Sequence, residues 1–129
     1  TSLDIMGMHI TMCPGHHFIP AWAMRFMTQD ESRTFGYSSD TSLTDSIVDH
    51  LQGVNLLLAE SSVASQNKPE SDHGHLTGHD AGVLARKTGT GQLVLTHYPQ
   101  MKAQAMAREA EKAFGGTVSL AVEGQRYTI

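Results

Sequence analysis

Apolar positions recur every second residue near the front of this chain and every third or fourth residue behind residue 40. LDIMGMHITM alternates Met6, Met8, Ile10 and Met12 with Gly7, His9 and Thr11, the pattern of one half-buried strand with its methionines toward a core. FIPAWAMRF and RTFGYS predict two further strands, and the polar stretch TQDES between them has the length and composition of a hairpin connection. Trp22 and Phe26 are expected in the core. Beyond Asp40 the pattern turns helical. Ser42 and Asp45 have the spacing of a capping box ahead of Ile47, Val48 and Leu51, and Gly53 is placed to end that helix. VNLLLAE is apolar on both faces, as in a strand with a layer on each side. Ser61 to Gly74 is polar and aperiodic, which predicts a loop. Thr77 and Asp80 repeat the capping box in front of Ala81, Val83 and Leu84, and a Gly-Thr-Gly turn leads into the strand QLVLT. Met101 to Phe114 is the third helix, with Met101, Ala105, Ala113 and Phe114 among charged residues; Gly115 and Gly116 stop it before TVSLAV. The expected class is α/β (α+β), strand-rich in front and alternating behind.

Composition changes this picture little. The 129 residues, 40% hydrophobic and 17% charged, suit one domain able to bury roughly two thirds of its unfolded surface. No repeat or linker divides them. Nine Lys and Arg against thirteen Asp and Glu give a net charge of -4, too few phosphate contacts to favour RNA or DNA. The single cysteine, Cys13, excludes an internal disulfide framework and fits a reducing, cytoplasmic setting. No apolar run reaches membrane-spanning length. The chain opens on Thr1 with no basic-then-apolar leader, and it reads as a piece of something longer.

The candidate chemistry lies where apolar runs give way to polar loops. Asp40 follows FGYSS, His97 follows LVLT, and His75 stands in GHLTGHDAG. In parallel α/β sheets the loops beyond the carboxyl ends of strands converge on one crevice, so residues distant in sequence meet there. Carboxylate and imidazole both offer lone pairs to a divalent ion at neutral pH. Glu60, at the end of VNLLLAE, is a candidate to orient such ligands. Each residue has a plainer reading as well: Asp40 as a turn residue, His97 as part of a strand-to-helix turn, His75 as a surface histidine. His73, His75 and His79 form H-x-H-x-x-x-H, a weak local metal pattern, while His9 and His50 have no pattern around them.

Taken together, these motifs resemble the carboxyl-terminal half of a metallo-β-lactamase-fold hydrolase of the ribonuclease Z-like kind. HFIPAWAMRF is similar to that family's strand with a histidine eight positions ahead of an arginine, here His17 and Arg25. YSSDT resembles the aspartate motif, GHLTGHDAG the second histidine motif and LVLTHYP the closing one. The resemblance implies half of an αββα sandwich over residues 1–129. It also implies two divalent ions, usually zinc, with manganese the alternative; Asp40 would bridge them and His17 and His97 would complete the coordination. A hydroxide shared by the ions would attack a phosphodiester or related ester, and His75 would protonate the leaving oxygen. His16 competes with His17 for the ligand position.

Two departures qualify the resemblance. The family's HxHxDH signature is absent, so Asp40, His17 and His97 amount to half of a dinuclear site, to be completed by an amino-terminal half or a second chain. Alone, the chain should bind metal poorly, catalyse nothing and associate through uncovered apolar faces, as a homo-oligomer or a complex. The long arm of transfer-RNA-processing members is also missing between Arg25 and Tyr37, which points to a smaller ester or phosphodiester. The competing class is a noncatalytic α/β module that binds or assembles through the same crevice.

Overall fold

The computed structural model describes residues 1–65 and 74–129. Seven strands form one sheet in which spatial order follows chain order: β1 Ser2–Ile5, β2 Met8–Pro14, β3 Trp22–Thr28, β4 Thr34–Tyr37, β5 Leu56–Glu60, β6 Gln92–Thr96 and β7 Val118–Leu120. β1 to β4 pair antiparallel through hairpins; β4 to β7 pair parallel. Parallel neighbours need crossovers, and each crossover carries a helix. These are α1 Asp45–His50, α2 Gly78–Thr88 and α3 Ala103–Phe114.

All three helices cover the same face. Leu57, Ala59, Leu93 and Leu95 point from β5 and β6 into one core with Ile47, Leu51, Leu84 and Met106. α3 meets it with Ala103, Met106, Ala107, Ala110 and Ala113, a three-and-four-residue stripe of mostly small side chains. Small residues let α2 and α3 approach closely. A Cβ added at Gly78 would lie 2.4 Å from the Met106 carbonyl oxygen, and one at Gly82 2.4 Å from that of Ala110.

The opposite face is only partly covered. Alternation sends Ile10, Phe26, Phe35 and Leu56 there as consecutive register partners across four strands, with the Phe26 and Phe35 ring centroids 5.3 Å apart. A groove of about 610 Å³ runs over this face, with Met8, Phe26, Phe35 and Leu58 on the sheet and Tyr127 and Ile129 on its other side. Such an open apolar face is what half of a layered sandwich should present. Among the described residues there is one sheet with helices on one side, and no helix is long and apolar enough to cross a membrane.

Several local expectations are corrected. LDIMGMHITM is not one strand but the hairpin β1–β2, turned at Met6 (φ 50°) and Gly7 (φ 78°), and Met6 is 92% exposed rather than core. Trp22 is 40% exposed. α1 is capped by Thr44, whose hydroxyl accepts from Ile47 N, instead of by Ser42. Met101 projects into solvent from a single 3₁₀ turn, Gln100–Lys102, ahead of α3. The strand expected over TVSLAV is confined to three residues. The Thr77–Asp80 capping box is present in both halves, and α2 ends on left-handed Gly89 as a C-cap glycine should.

Candidate metal centre

The carboxyl ends of β4, β5 and β6 lie side by side, because the three strands pair parallel in that order. Beyond β4 the chain delivers Asp40, β5 ends in Glu60, the turn before α2 carries His75, and β6 runs straight into His97. One ligand atom from each of these four residues falls within 4.8 Å of every other. His97 Nδ1 and Asp40 Oδ1 are 3.0 Å apart across 57 residues of sequence. Two residues here take positive φ without being glycine: Ser39 at 53° and His97 at 52°. Left-handed backbone at non-glycine residues is unfavourable and tends to cluster at functional sites.

Glu60 is the hub. It is 1% exposed, and both oxygens are fully engaged. Oε1 accepts from Thr41 N at 3.2 Å, Leu76 N at 3.0 Å and His75 Nδ1 at 2.9 Å. Oε2 accepts from Ser62 N at 2.9 Å and Ser62 Oγ at 2.8 Å. A buried carboxylate with this many donors is satisfied without a cation, so its part in the cluster is to orient its neighbours. Asp40, one third exposed, and His97, about half exposed, face open solvent instead.

His17 lies beside this cluster rather than within it. Its ring sits edge-on to that of His75, with centroids 4.7 Å apart, and His75 is in turn 6.0 Å from His97. His17 Nδ1 donates to the Gly74 carbonyl at 2.8 Å. Only glycine fits at position 74: φ is +81°, and a Cβ would stand 2.7 Å from that same nitrogen. His16 is exposed and contributes its backbone, its N–H donating to Thr41 Oγ1 at 2.9 Å. His79 is exposed in the first turn of α2, and His73 lies outside the described residues, so H-x-H-x-x-x-H gains no support as a unit. His9 pairs with Asp4 and His50 donates to the Thr11 carbonyl, both away from the site.

One regularity links the three site histidines. Each has Nδ1 engaged by an oxygen, namely the Gly74 carbonyl for His17, Glu60 for His75 and Asp40 for His97. Their Nε2 atoms take no hydrogen bond among the described residues. His17 and His75 are held as metal-binding imidazoles are, with one nitrogen anchored and the other presented, while Asp40 and His97 together form an Asp–His donor set that suits a borderline divalent ion such as zinc. The residues therefore fit the metal that their chemistry suggests. Tyr37, on the last position of β4, keeps its phenol protonated: burial pushes its pKa up, and the negative charge of Asp40 adds to the effect.

Residues 1–98 match the family model for the beta-lactamase superfamily domain. The chain belongs to that superfamily. It is 32% identical over 116 residues to the probable metallo-hydrolase YhfI of Bacillus subtilis, a match covering 89% of this chain and 46% of that protein. It is 35% identical over 83 residues to ribonuclease Z of Streptomyces avermitilis, covering 64% of this chain and 28% of that one. The crystal structure of the Bacillus protein superposes with a TM-score of 0.86 over 97% of this chain and 50% of its own, at 29% identity. The short form of human tRNase Z, at 22% identity, shares the fold with a TM-score of 0.69, over 92% of this chain and 42% of its own. The architecture is thus the metallo-β-lactamase fold, and the superfamily member described here is similar to metallo-hydrolases. It spans from about a quarter to about half of the length of the curated relatives it matches, 25% of one ribonuclease Z and 46% of YhfI.

Proposed function

We propose that the protein containing this chain is a metal-dependent hydrolase of phosphodiesters or related esters, and that residues 1–129 are the carboxyl-terminal part of its catalytic domain. The observation that carries the reading is the 3.0 Å contact between Asp40 and His97, residues of two different strand ends. Asp40, His97 and His17 would hold the metal, two divalent ions of the zinc type. Bound there, such ions would activate water as a nucleophile and neutralise charge on the group under attack.

The chain's own residues supply the rest. His75 is the general acid. Its Nδ1–H is committed to Glu60, so Nε2 is the atom that carries the proton to the leaving oxygen. Glu60 fixes the orientation of the ring through that bond. A second groove, about 410 Å³ and lined by His97, Tyr98, Gln100, Val122 and Glu123, gives the substrate room beside one of the proposed ligands, His97. Ribonuclease Z among the relatives supports the phosphodiester class, while the net charge of -4 argues for a substrate smaller than RNA. The remaining ligands come from the part of the protein outside this chain, whose natural seat is the open face of the sheet.

The test is metal analysis and turnover of the full-length protein prepared without chelator. Two equivalents of zinc or manganese and hydrolysis of a bis-aryl phosphodiester, both lost in Asp40→Ala, are expected. A protein with no metal and no turnover would instead be the noncatalytic module.

A further inference from the structure

Phe18 follows His17 directly and is 76% exposed. Its ring centroid lies 4.0 Å from that of His17, tilted by 38°, and 5.9 Å from that of His75, nearly edge-on at 69°. The backbone beneath it is pinned. His16 N donates to Thr41 Oγ1, Ser42 N donates to the His16 carbonyl at 3.0 Å, and His17 is tied to Gly74. Among the described residues of this chain the ring takes no part in the hydrophobic core, and its only ring contacts are with the two site histidines. It does stand at the rim of the site, against both the proposed ligand His17 and the proposed acid His75.

We infer that Phe18 is a stacking platform that selects substrates with a planar aromatic leaving group. The inference rests on the reading of His75 as proton donor to the leaving oxygen. Phe18 lies 5.9 Å from the His75 ring, so an aromatic group on an oxygen presented to His75 would have Phe18 as its neighbour, and aromatic rings attract one another at centroid separations of roughly 4.5–7 Å. His17 lies against one side of Phe18, and the solvent-facing remainder is available to the incoming ring. Stacking of this kind recognises planarity rather than a pattern of hydrogen bonds, so aryl and heteroaryl groups are both accommodated. Phe18 is accordingly a specificity residue, and neither proton transfer nor metal binding passes through it.

The experiment compares phenylphosphonate with cyclohexylphosphonate, which match in charge and ring size and differ in planarity. Their dissociation constants are measured by calorimetry on the metal-loaded full-length protein, on Phe18→Ala, Phe18→Leu and Phe18→Tyr, with the melting temperature of each. Turnover of the corresponding phosphodiesters is measured in parallel. Phe18→Ala and Phe18→Leu should weaken the phenyl ligand roughly five- to ten-fold and the cyclohexyl ligand less than about two-fold, with Phe18→Tyr close to wild type and melting temperatures unchanged. Equal weakening of both ligands, no weakening of either, or a lowered melting temperature with discrimination intact overturns the inference; the last result makes Phe18 a packing residue against the rest of the protein. Phe18-dependent binding without turnover of either diester overturns the hydrolase reading alone. Turnover of both with no Phe18-dependent discrimination overturns the stacking platform alone.

Discussion

Replacing Glu60 by Gln isolates the contribution of its charge, because the side chain keeps its shape. The carboxylate accepts five hydrogen bonds, three on Oε1 and two on Oε2. Glutamine retains one acceptor oxygen, and three donors against two decide where it goes: to the Oε1 position, facing Thr41 N, Leu76 N and His75. Its amide nitrogen then faces Ser62 N–H, donor against donor, while the Ser62 hydroxyl can rotate to accept. One charge-assisted bond, worth about 1.5–3 kcal/mol, is lost and the three on Oε1 become neutral ones at about 0.5–1.5 kcal/mol each. Relief of the cost of burying the charge returns part of this. We expect a net loss of about 2 kcal/mol, read as a lower urea midpoint at unchanged slope in the full-length protein. The rate should fall roughly ten- to a hundred-fold, in kcat more than in KM, because the anchor of His75 remains but its charge does not. Glu60→Ala strands the buried Thr41 and Leu76 N–H groups and should cost more than about 4 kcal/mol. A Gln variant within about 0.5 kcal/mol of wild type would refute the argument, since neutral bonds would then serve as well as charged ones.

Gly82→Ala should destabilise by about 1–3 kcal/mol in denaturant titration, because its Cβ would meet the Ala110 carbonyl at 2.4 Å and force α2 from α3. Burial pushes the His50 pKa below its ordinary value of 6.5 and Arg25 adds to this, while the bond to the Thr11 carbonyl opposes it. The unfolded chain therefore takes up its proton first as the pH falls; stability is full above the unfolded value and declines from there down to the folded one. His50→Gln should flatten that stretch of the stability–pH curve, and an unchanged slope would dismiss the residue as its source. The isolated 129-residue chain should self-associate with concentration in sedimentation velocity, through the sheet face that carries Phe26, Phe35 and Leu58.

The parallel half of the fold was legible because its signals are local. Thr77 and Asp80 satisfy each other within one turn, and nothing distant competes for them. Ser42 and Asp45 show the same spacing, but the Ser42 hydroxyl accepts from Gly74 N, 32 residues away, so the cap moves to Thr44. The hairpin at Met6–Gly7 was missed for a different reason. A two-residue turn with both residues left-handed is usually announced by Asn-Gly or Asp-Gly, and methionine gives no such notice. Crossing the turn also changes parity, so Leu3 and Ile5 share a face with Ile10 and Met8 while Met6 projects from the tip.

For the site, sequence order identified the residues and only the sheet could supply their distances. Asp40, His75 and His97 were readable as polar residues standing where apolar runs give way to loops, positions that a parallel sheet gathers beyond the carboxyl ends of its strands. Glu60 was readable as a residue but not as a hub, because its donors come from positions 41, 62, 75 and 76, and no spacing links them. His17 meets His75 only because Gly74 admits its ring. Left-handed backbone alone does not mark the site, since Met6 and Glu31 adopt it in plain turns; here left-handed Ser39 and His97 occur together with a charge at 1% exposure. They converge on one group of side chains at the ends of three adjacent strands, and that convergence separates a site from a set of turn residues.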